Sequence, residues 1–220
     1  MRWVVLTKAC ISLPECITDD SSIEDTITTL AGFIKEGYFT HISLSEVGPQ
    51  TIRRAAKVHP ITMVEVEFSL WSTDIQTNGV LDTCKELGIH IAAYSPLGRG
   101  ILSGRWTKPE DVPQTLKDQY PRYSDENFET NVKFVEKIKE IGERNHATPA
   151  QVALKWIVTQ GEGIIIPIPG ATRKDRVLEN TEAASLDLSE KELAEINHFV
   201  EITEVKGGRY AADHEHMLWG

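Results

Sequence analysis

The fold of this chain is decided by the stretch IIIPIPGATRKDRVLEN, residues 164–180. Its three consecutive isoleucines, Ile164–Ile166, predict a strand that is buried on both faces, as in a parallel sheet. The Gly-Ala pair that follows predicts a turn at which a ligand can approach the backbone closely. Thr172 and Asp175 have the spacing of a capping box, so the sequence predicts that a helix begins there, directly after the strand and turn.

The residues around this turn indicate an anion-binding site. A helix N-terminus presents free N–H groups and the positive end of the helix dipole. Arg173, Lys174 and Arg176 add formal positive charge at the same place. The alternative is a capped surface helix whose charged side chains are solvated, and these residues alone leave both interpretations open.

Composition limits the classes of protein to be considered. The chain has 220 residues, 40% of them hydrophobic, and a formal net charge of −10, which is enough for one domain with its own core. The acidic balance argues against general nucleic-acid binding. Three cysteines without metal spacing predict ordinary thiols in the reducing cytosol. The apolar run at the N-terminus is too short for a signal peptide or a membrane span.

Strands and helices alternate along the sequence. The predicted strands lie at residues 3–6, 41–45, 62–70, 89–94 and 164–166. Helix start signals lie between and after them, at Ser21 with Glu24, Pro49, Thr148 with Pro149, and Ser189 with Glu192. Repeated strand–helix units predict a parallel sheet flanked by helices, with functional residues at the carboxyl ends of the strands.

Four segments at those carboxyl ends carry a resemblance to a known family. They are SLSEV (43–47), VEVEFSLW (64–71), AYSPLGRGILSG (93–104) and IPGATRKDRVLEN (168–180). In this order they resemble the aldo-keto reductase family over about residues 20–205, and GYFTHISLSEV, VEVEFSLW and TNGVLDTCKELGI are most similar to its fungal pyridoxal reductase branch. The resemblance implies a (β/α)8 barrel that binds NADP(H) in preference to NAD(H) and reduces a carbonyl group of a small molecule.

The resemblance also implies roles at the nicotinamide end of the cofactor. Tyr94 corresponds to the aromatic ring that stacks on the nicotinamide, and its alternative role is that of a core tyrosine. Ser45, Glu46 and Glu65 match positions that hold the carboxamide. The family often has Asn and Gln at the two acidic positions, so these carboxylates would have to accept hydrogen bonds from the amide N–H groups.

The remaining cofactor positions belong to the phosphates and the adenosine. By resemblance they are Leu97, Gly98 and Arg99 for the pyrophosphate, Gly170, Ala171 and Thr172 for the adenosine phosphate, Arg173, Lys174 and Arg176 for the 2′-phosphate, and Glu179 and Asn180 for the adenine edge. Arg176 is the best match by position, and a planar guanidinium suits both phosphate and adenine.

The family's catalytic Asp, Tyr, Lys and His are carried by its first four strands, and they have no counterpart in this sequence. Lys8 is not in the context of the family's lysine. We therefore expect one truncated barrel domain over residues 1–220, the C-terminal portion of a (β/α)8 barrel with about five parallel strands. An unclosed barrel leaves bare strand edges and an open apolar interior, so dimerisation, a partner chain or a rearrangement is expected to close it.

With the tetrad missing, several functions remain open. Glu65, Glu67 and Tyr94 are the remaining catalytic candidates, although a structural role is favoured for Glu67. Trp71 and Trp219 are candidate substrate-pocket aromatics, with core packing the alternative for Trp71. The chain is then a reductase whose acid comes from elsewhere, a non-redox enzyme of the isomerase or cyclase type, or a cofactor-binding subunit without chemistry.

Overall fold

The computed structural model describes the backbone of residues 3–7 and all of residues 22–210 and 219. A five-stranded parallel sheet forms its centre, and the strands pair in chain order. The strands are β1 Trp3–Thr7, β2 His41–Ser45, β3 Met63–Glu67, β4 His90–Tyr94 and β5 Ile165–Pro167. The predicted strands are therefore confirmed, although β3 ends earlier than predicted because the chain turns back between Ser69 and Ser72.

Helices connect the strands and continue after the last one. They are α1 Ile23–Lys35, α2 Pro49–Val58, α3 Val80–Leu87, α4 Gln114–Gln119, α5 Asp125–Arg144, α6 Pro149–Thr159, α7 Lys174–Glu182 and α8 Glu190–Ile202. The long connection between β4 and β5 contains α4, α5 and α6. Among the residues that the structure describes, no helix is long and apolar enough to cross a membrane.

The two faces of the sheet differ in character. The row Leu44, Val64, Ile91 and Ile165, aligned across four strands, is buried in one cluster together with residues of α2 and α6. The neighbouring row contains Ser45, Glu65, Ala92 and Ile166.

Two expectations about this second face are wrong. Ile166 is 43% exposed, so β5 is not buried on both faces, because the described part of the chain covers this face only in part at Ile166. The face is also less apolar than an open barrel interior was expected to be, since it carries Ser45 and Glu65. The hydrophobic core therefore lies on the helix side of the sheet.

Capping residues determine where several helices begin. Thr148 and Gln151 form a reciprocal capping box at α6, and Ser189 and Glu192 form one at α8. At α1 the N-cap is Ser22, whose hydroxyl accepts from the Asp25 N–H at 3.2 Å. The predicted Ser21 lies outside the described residues.

The predicted cap of α7 is wrong. The helix begins at Lys174 with Arg173 as its N-cap, and no side chain caps it. The Asp175 carboxylate is held instead by the Arg173 guanidinium, at 3.0 and 2.6 Å. A capping box with Thr172 fails because a neighbouring cation binds the carboxylate.

We expect that replacing Thr148 with alanine lowers the free energy of unfolding by about 1 kcal/mol, because the first turn of α6 loses its side-chain acceptor. Urea denaturation of both proteins measures the difference. Thr159→Ala is the matched control, since Thr159 lies at the other end of α6, where its hydroxyl donates to the Trp156 carbonyl and accepts from the Gln160 side-chain amide but caps no helix N–H group. An equal loss in the two variants would contradict the capping role.

Candidate functional site

A cavity of about 360 Å³ lies between the loop that follows β4 and the segment that joins β5 to α7. This volume is within the range typical of small-molecule sites. The lining includes four arginines and one carboxylate, namely Arg99, Arg105, Arg173, Arg176 and Glu179. The excess of guanidinium groups makes the cavity suited to an anionic ligand.

The loop after β4 wraps tightly because three consecutive residues are left-handed. Gly98, Arg99 and Gly100 have φ values of 53°, 52° and 117°. The Gly98 carbonyl accepts from the Tyr123 hydroxyl at 2.7 Å, which fixes the loop from beneath. This geometry puts the Arg99 side chain at the cavity while Gly98 itself is buried.

The structure brings together most of the residues predicted for the phosphates and adenosine. The cavity lining contains Leu97, Arg99, Gly170, Ala171, Thr172, Arg173, Arg176, Glu179 and Asn180. Gly98 and Lys174 are the two exceptions. Gly98 lies under the loop, and Lys174 is an exposed residue at the start of α7.

Carboxylates on α7 hold the two guanidinium groups at the mouth of the cavity. Arg176 Nη1 lies 2.5 Å from Glu179 Oε2, one helical turn away. Hydrogen bonding from Arg173 lowers the pKa of the Asp175 carboxyl. Each guanidinium has five N–H donors and uses at most two of them here, so donors remain for a ligand oxygen.

A buried cluster of charges lies at the carboxyl ends of β2, β3 and β4, and we call it the Arg209 cluster. Arg209 comes from the segment after α8; its Nε donates to Glu67 at 3.1 Å, and its Nη2 donates to Glu46 at 2.9 Å and to the Tyr94 hydroxyl at 3.1 Å. The Tyr94 hydroxyl donates to Glu46 at 2.8 Å and lies 3.2 Å from the Tyr210 hydroxyl. One guanidinium thus joins the ends of three strands.

A second layer of contacts surrounds Glu67. The Ser72 hydroxyl donates to Glu67 at 3.1 Å and accepts from Arg122 at 2.7 Å. Arg99 lies 3.7 Å from Glu67 and stacks 3.9 Å above the centre of the Tyr120 ring. Because Arg99 also lines the cavity, it connects the cavity to the Arg209 cluster.

The surroundings of the three catalytic candidates differ. Burial, and next the charge of Glu46, raise the pKa of the Tyr94 hydroxyl, so Tyr94 is a weak acid that stays protonated. Both oxygens of Glu67 are engaged, and the residue is buried, as expected for a structural carboxylate. The half-buried Glu65 side chain makes no hydrogen bond or ion pair with any residue in the described part of the chain.

The two predicted pocket tryptophans lie in different environments. Trp71 is 4% exposed and packs 6.0 Å from the Tyr123 ring, so it is a core residue and not part of the cavity. Trp219 is half-buried, with its ring centre 5.4 Å from the Arg209 guanidinium. Among residues 22–210 and 219, no group of His, Cys, Asp and Glu side chains could hold a metal ion.

Sequence reasoning missed Arg209, Arg122 and Tyr210. Their partners are far away along the chain, so no local pattern contains them. One signal was present: a buried glutamate at the end of β3 needs a cation to compensate its charge. Arg209 follows the pair Gly207–Gly208, which allows the chain to turn after the last helix.

Known proteins with similar sequences cover most of this chain. It is 44% identical over 199 residues to "Probable aldo-keto reductase 1" of Glycine max, which covers 90% of this chain and 56% of that protein. It is 39% identical over 194 residues to "Aldo-keto reductase yakc [NADP(+)]" of Schizosaccharomyces pombe, which covers 87% of this chain and 57% of that protein. The chain therefore spans a little more than half the length of these relatives.

Solved structures give the same result for the fold. The crystal structure of a thermostable aldo-keto reductase, Tm1743, aligns with a TM-score of 0.67 at 20% identity, covering 90% of this chain and 59% of the other. The glycerol dehydrogenase AKR11B4 of Gluconobacter oxydans aligns with a TM-score of 0.76 at 19% identity, and the alignment covers 84% of this chain and 56% of the dehydrogenase. The parallel sheet with its helices is thus similar to part of these folds.

The sequence model of the Aldo/keto reductase family matches residues 10–201. This match includes β2 to β5, the cavity and most of α8. Together with the identity to the Glycine max protein, it establishes that the chain belongs to the Aldo/keto reductase family.

Proposed function

We propose that this chain binds NADP(H), in preference to NAD(H), as part of an aldo-keto reductase that reduces the carbonyl group of a small aldehyde or ketone. The observation that carries the proposal is the cavity beside α7, which is lined by nine residues predicted from the family resemblance, three of them arginines, and by the further guanidinium group of Arg105. The NADP(+) in the name of the Schizosaccharomyces pombe relative agrees with it.

The cavity fits the adenosine end of this cofactor. Arg173 and Arg176 supply the paired donors that a 2′-phosphate requires, and Arg99 is suited to the pyrophosphate. The space beside Gly170 is open, since a Cβ built there would meet no atom within 4 Å. A phosphate can therefore approach the Gly170 backbone.

The Arg209 cluster is proposed to lie at the nicotinamide end of the cofactor. Ser95 lines the cavity and directly follows Tyr94 in the chain, and by the family resemblance the nicotinamide end of the ligand would extend from the cavity toward Tyr94, Glu46 and Ser45. In the proposed complex, Tyr94 supports the nicotinamide ring and Glu46 accepts from the carboxamide. Bound NADPH supplies the hydride for carbonyl reduction.

The proton that the carbonyl oxygen needs is proposed to come from a second copy of the chain or from a partner chain. Tyr94 is a poor proton donor because its pKa is raised, and the Glu67 carboxylate is committed to Arg209, Ser72 and Arg99. The predicted partner would also cover the open face of the sheet. The predicted cytosolic location rests on the three scattered thiols alone.

A cofactor-binding subunit without chemistry of its own is the second candidate. The observation that favours it is the commitment of the Tyr94 hydroxyl and both Glu67 oxygens to internal hydrogen bonds. The same observation leaves Glu65 as the one candidate acid or base for the isomerase or cyclase alternative whose side chain is not committed to a partner in the described part of the chain.

Titration of the full chain with NADPH, NADH and 2′,5′-ADP, followed by cofactor fluorescence or calorimetry, tests the proposal. We expect NADPH to bind at least about tenfold more tightly than NADH, because each charge-assisted hydrogen bond to the 2′-phosphate contributes about 1.5–3 kcal/mol. A folded protein that binds neither NADPH nor 2′,5′-ADP would refute the proposed function.

Activity then separates the two candidates. NADPH oxidation is measured with a panel of aldehydes that includes pyridoxal, because the sequence is most similar to the pyridoxal reductase branch. Turnover supports the reductase, whereas tight binding without turnover at any protein concentration supports the subunit.

A further inference from the structure

Two carboxylates and one guanidinium share a site that is shielded from water. The side chains of Arg209, Glu67 and Glu46 are 5%, 2% and 13% exposed. Charges in such surroundings interact more strongly than on the surface. Any further charge placed beside them is therefore felt strongly.

The site is not saturated by its internal contacts. Glu46 Oε2 and Arg209 Nη1 are both buried, and neither has a hydrogen-bond partner among the residues that the structure describes. A buried carboxylate oxygen and a buried N–H without partners are each costly. The cluster therefore holds part of its negative and positive charge without a compensating contact in the described part of the chain.

The proposed cofactor changes its charge at this end of the site. The nicotinamide ring of NADP⁺ carries a positive charge, and the gain of a hydride ion makes the ring of NADPH neutral. A nearby carboxylate favours the oxidised form, and a nearby guanidinium favours the reduced form. The balance between Glu46, Glu67 and Arg209 thus acts directly on the difference between the two forms.

We propose that Arg209 is a specificity-determining residue for the redox state of the cofactor: by offsetting the charges of Glu46 and Glu67, it keeps NADPH binding competitive with NADP⁺ binding. Arg209 acts on the ring through the carboxylates that it neutralises, with Tyr94 as the shared neighbour. This inference rests on the proposed function, since it requires the nicotinamide end of NADP(H) to lie at the Arg209 cluster.

No other described cation near the cluster compensates the charges of both Glu46 and Glu67 by direct contact. Arg99 is 3.7 Å from Glu67, and in the proposed complex its charge is offset by the pyrophosphate. Arg122 makes no hydrogen bond to Glu67 itself and is joined to it by hydrogen bonds through the Ser72 hydroxyl. Arg209 is the guanidinium that contacts both carboxylates in the described part of the chain.

The experiment measures dissociation constants of NADP⁺ and NADPH for the full chain and for three variants. In Arg209→Gln we expect the ratio of the two constants to shift toward NADP⁺ by about tenfold or more, which for a two-electron couple lowers the potential of the bound cofactor by about 30 mV. Glu46→Gln is expected to shift the ratio toward NADPH. Arg209→Lys keeps the charge and is expected to change the ratio by less than about threefold.

A purely structural role for Arg209 would weaken both forms equally, and an unchanged ratio would overturn the proposal. If Arg209→Gln does not fold, the Glu46→Gln variant provides the test. An unchanged ratio of the NADP⁺ and NADPH dissociation constants in Glu46→Gln would also overturn the proposal. Binding of 2′,5′-ADP distinguishes a failure of the proposed role of Arg209 from a failure of the proposed NADP(H) binding. If 2′,5′-ADP binds and the ratios do not move, only this inference is wrong; if neither NADPH nor 2′,5′-ADP binds to the folded chain, the proposed function is wrong as well.

Discussion

Replacing Trp156 with alanine is expected to lower the free energy of unfolding by about 3–5 kcal/mol, the largest stability effect that we predict for one side chain. Trp156 is 1% exposed, and its ring stacks on Phe68 with 5.4 Å between ring centres. Its indole N–H donates to Asn197 of α8 at 2.7 Å. The residue therefore ties α6 to α8 and to the chain after β3, and alanine would leave a cavity between them.

Urea or thermal denaturation measures this loss, and two variants divide it into its parts. Trp156→Phe keeps most of the ring and removes the N–H donor. Asn197→Ala removes the acceptor at an exposed position and is expected to cost about 1 kcal/mol. If Asn197→Ala destabilises the protein as much as Trp156→Ala, the hydrogen bond and not the packing holds the two helices together.

Replacing Arg176 with alanine is expected to weaken NADPH binding by about 10- to 100-fold, because a guanidinium–phosphate contact contributes about 1.5–3 kcal/mol. NADH has no 2′-phosphate, so its affinity is expected to change by less than about twofold, within the range of weak surface electrostatics. Fluorescence titration with both cofactors measures the change in preference.

Lys174 provides the matched control. It carries the same charge two residues earlier in α7 but does not line the cavity. Lys174→Ala is therefore expected to change NADPH affinity by less than about threefold, through screened surface electrostatics alone. Equal losses in the Arg176 and Lys174 variants would mean that only the general positive charge of the helix start matters.

The variant Glu179→Gln tests the role of Arg176 by removing the carboxylate that pairs with it. In the structure, Arg176 is paired with Glu179 at 2.5 Å, and a phosphate would have to compete with this carboxylate. Removing the negative charge frees the guanidinium for the 2′-phosphate, so the preference for NADPH over NADH is expected to rise. An equal loss of affinity for both cofactors would show that the contact of Glu179 with the adenine, which the family resemblance implies, is the only effect of the charge.

Local patterns predicted the parts of this fold that depend on neighbours in the chain. The strand at 41–45 is confirmed to the residue, and Pro49, Thr148 and Ser189 mark helix starts as expected. These signals depend on interactions within one turn of helix or one strand. They do not depend on what the element packs against.

The errors arose where a distant or competing partner decides the outcome. The capping box at Thr172 had the correct spacing, yet Arg173 binds the Asp175 carboxylate. The sequence overestimates the burial of Ile164–Ile166, because an apolar run does not show whether other elements cover both faces of its strand. The family resemblance assigned most of the cavity lining, since the four segments that carry it end at the same edge of the sheet.

The order of the strands has a consequence for how the protein is made. Each strand pairs with the one that precedes it in the chain, so the sheet can grow in step with synthesis from the N-terminus. The contacts of Arg209 are different, since they join residues 142 and 163 positions apart. Until residue 209 has left the ribosome, Glu46 and Glu67 lack the guanidinium that contacts both of them, so a nascent chain can pair these five strands before the charges at their carboxyl ends are compensated.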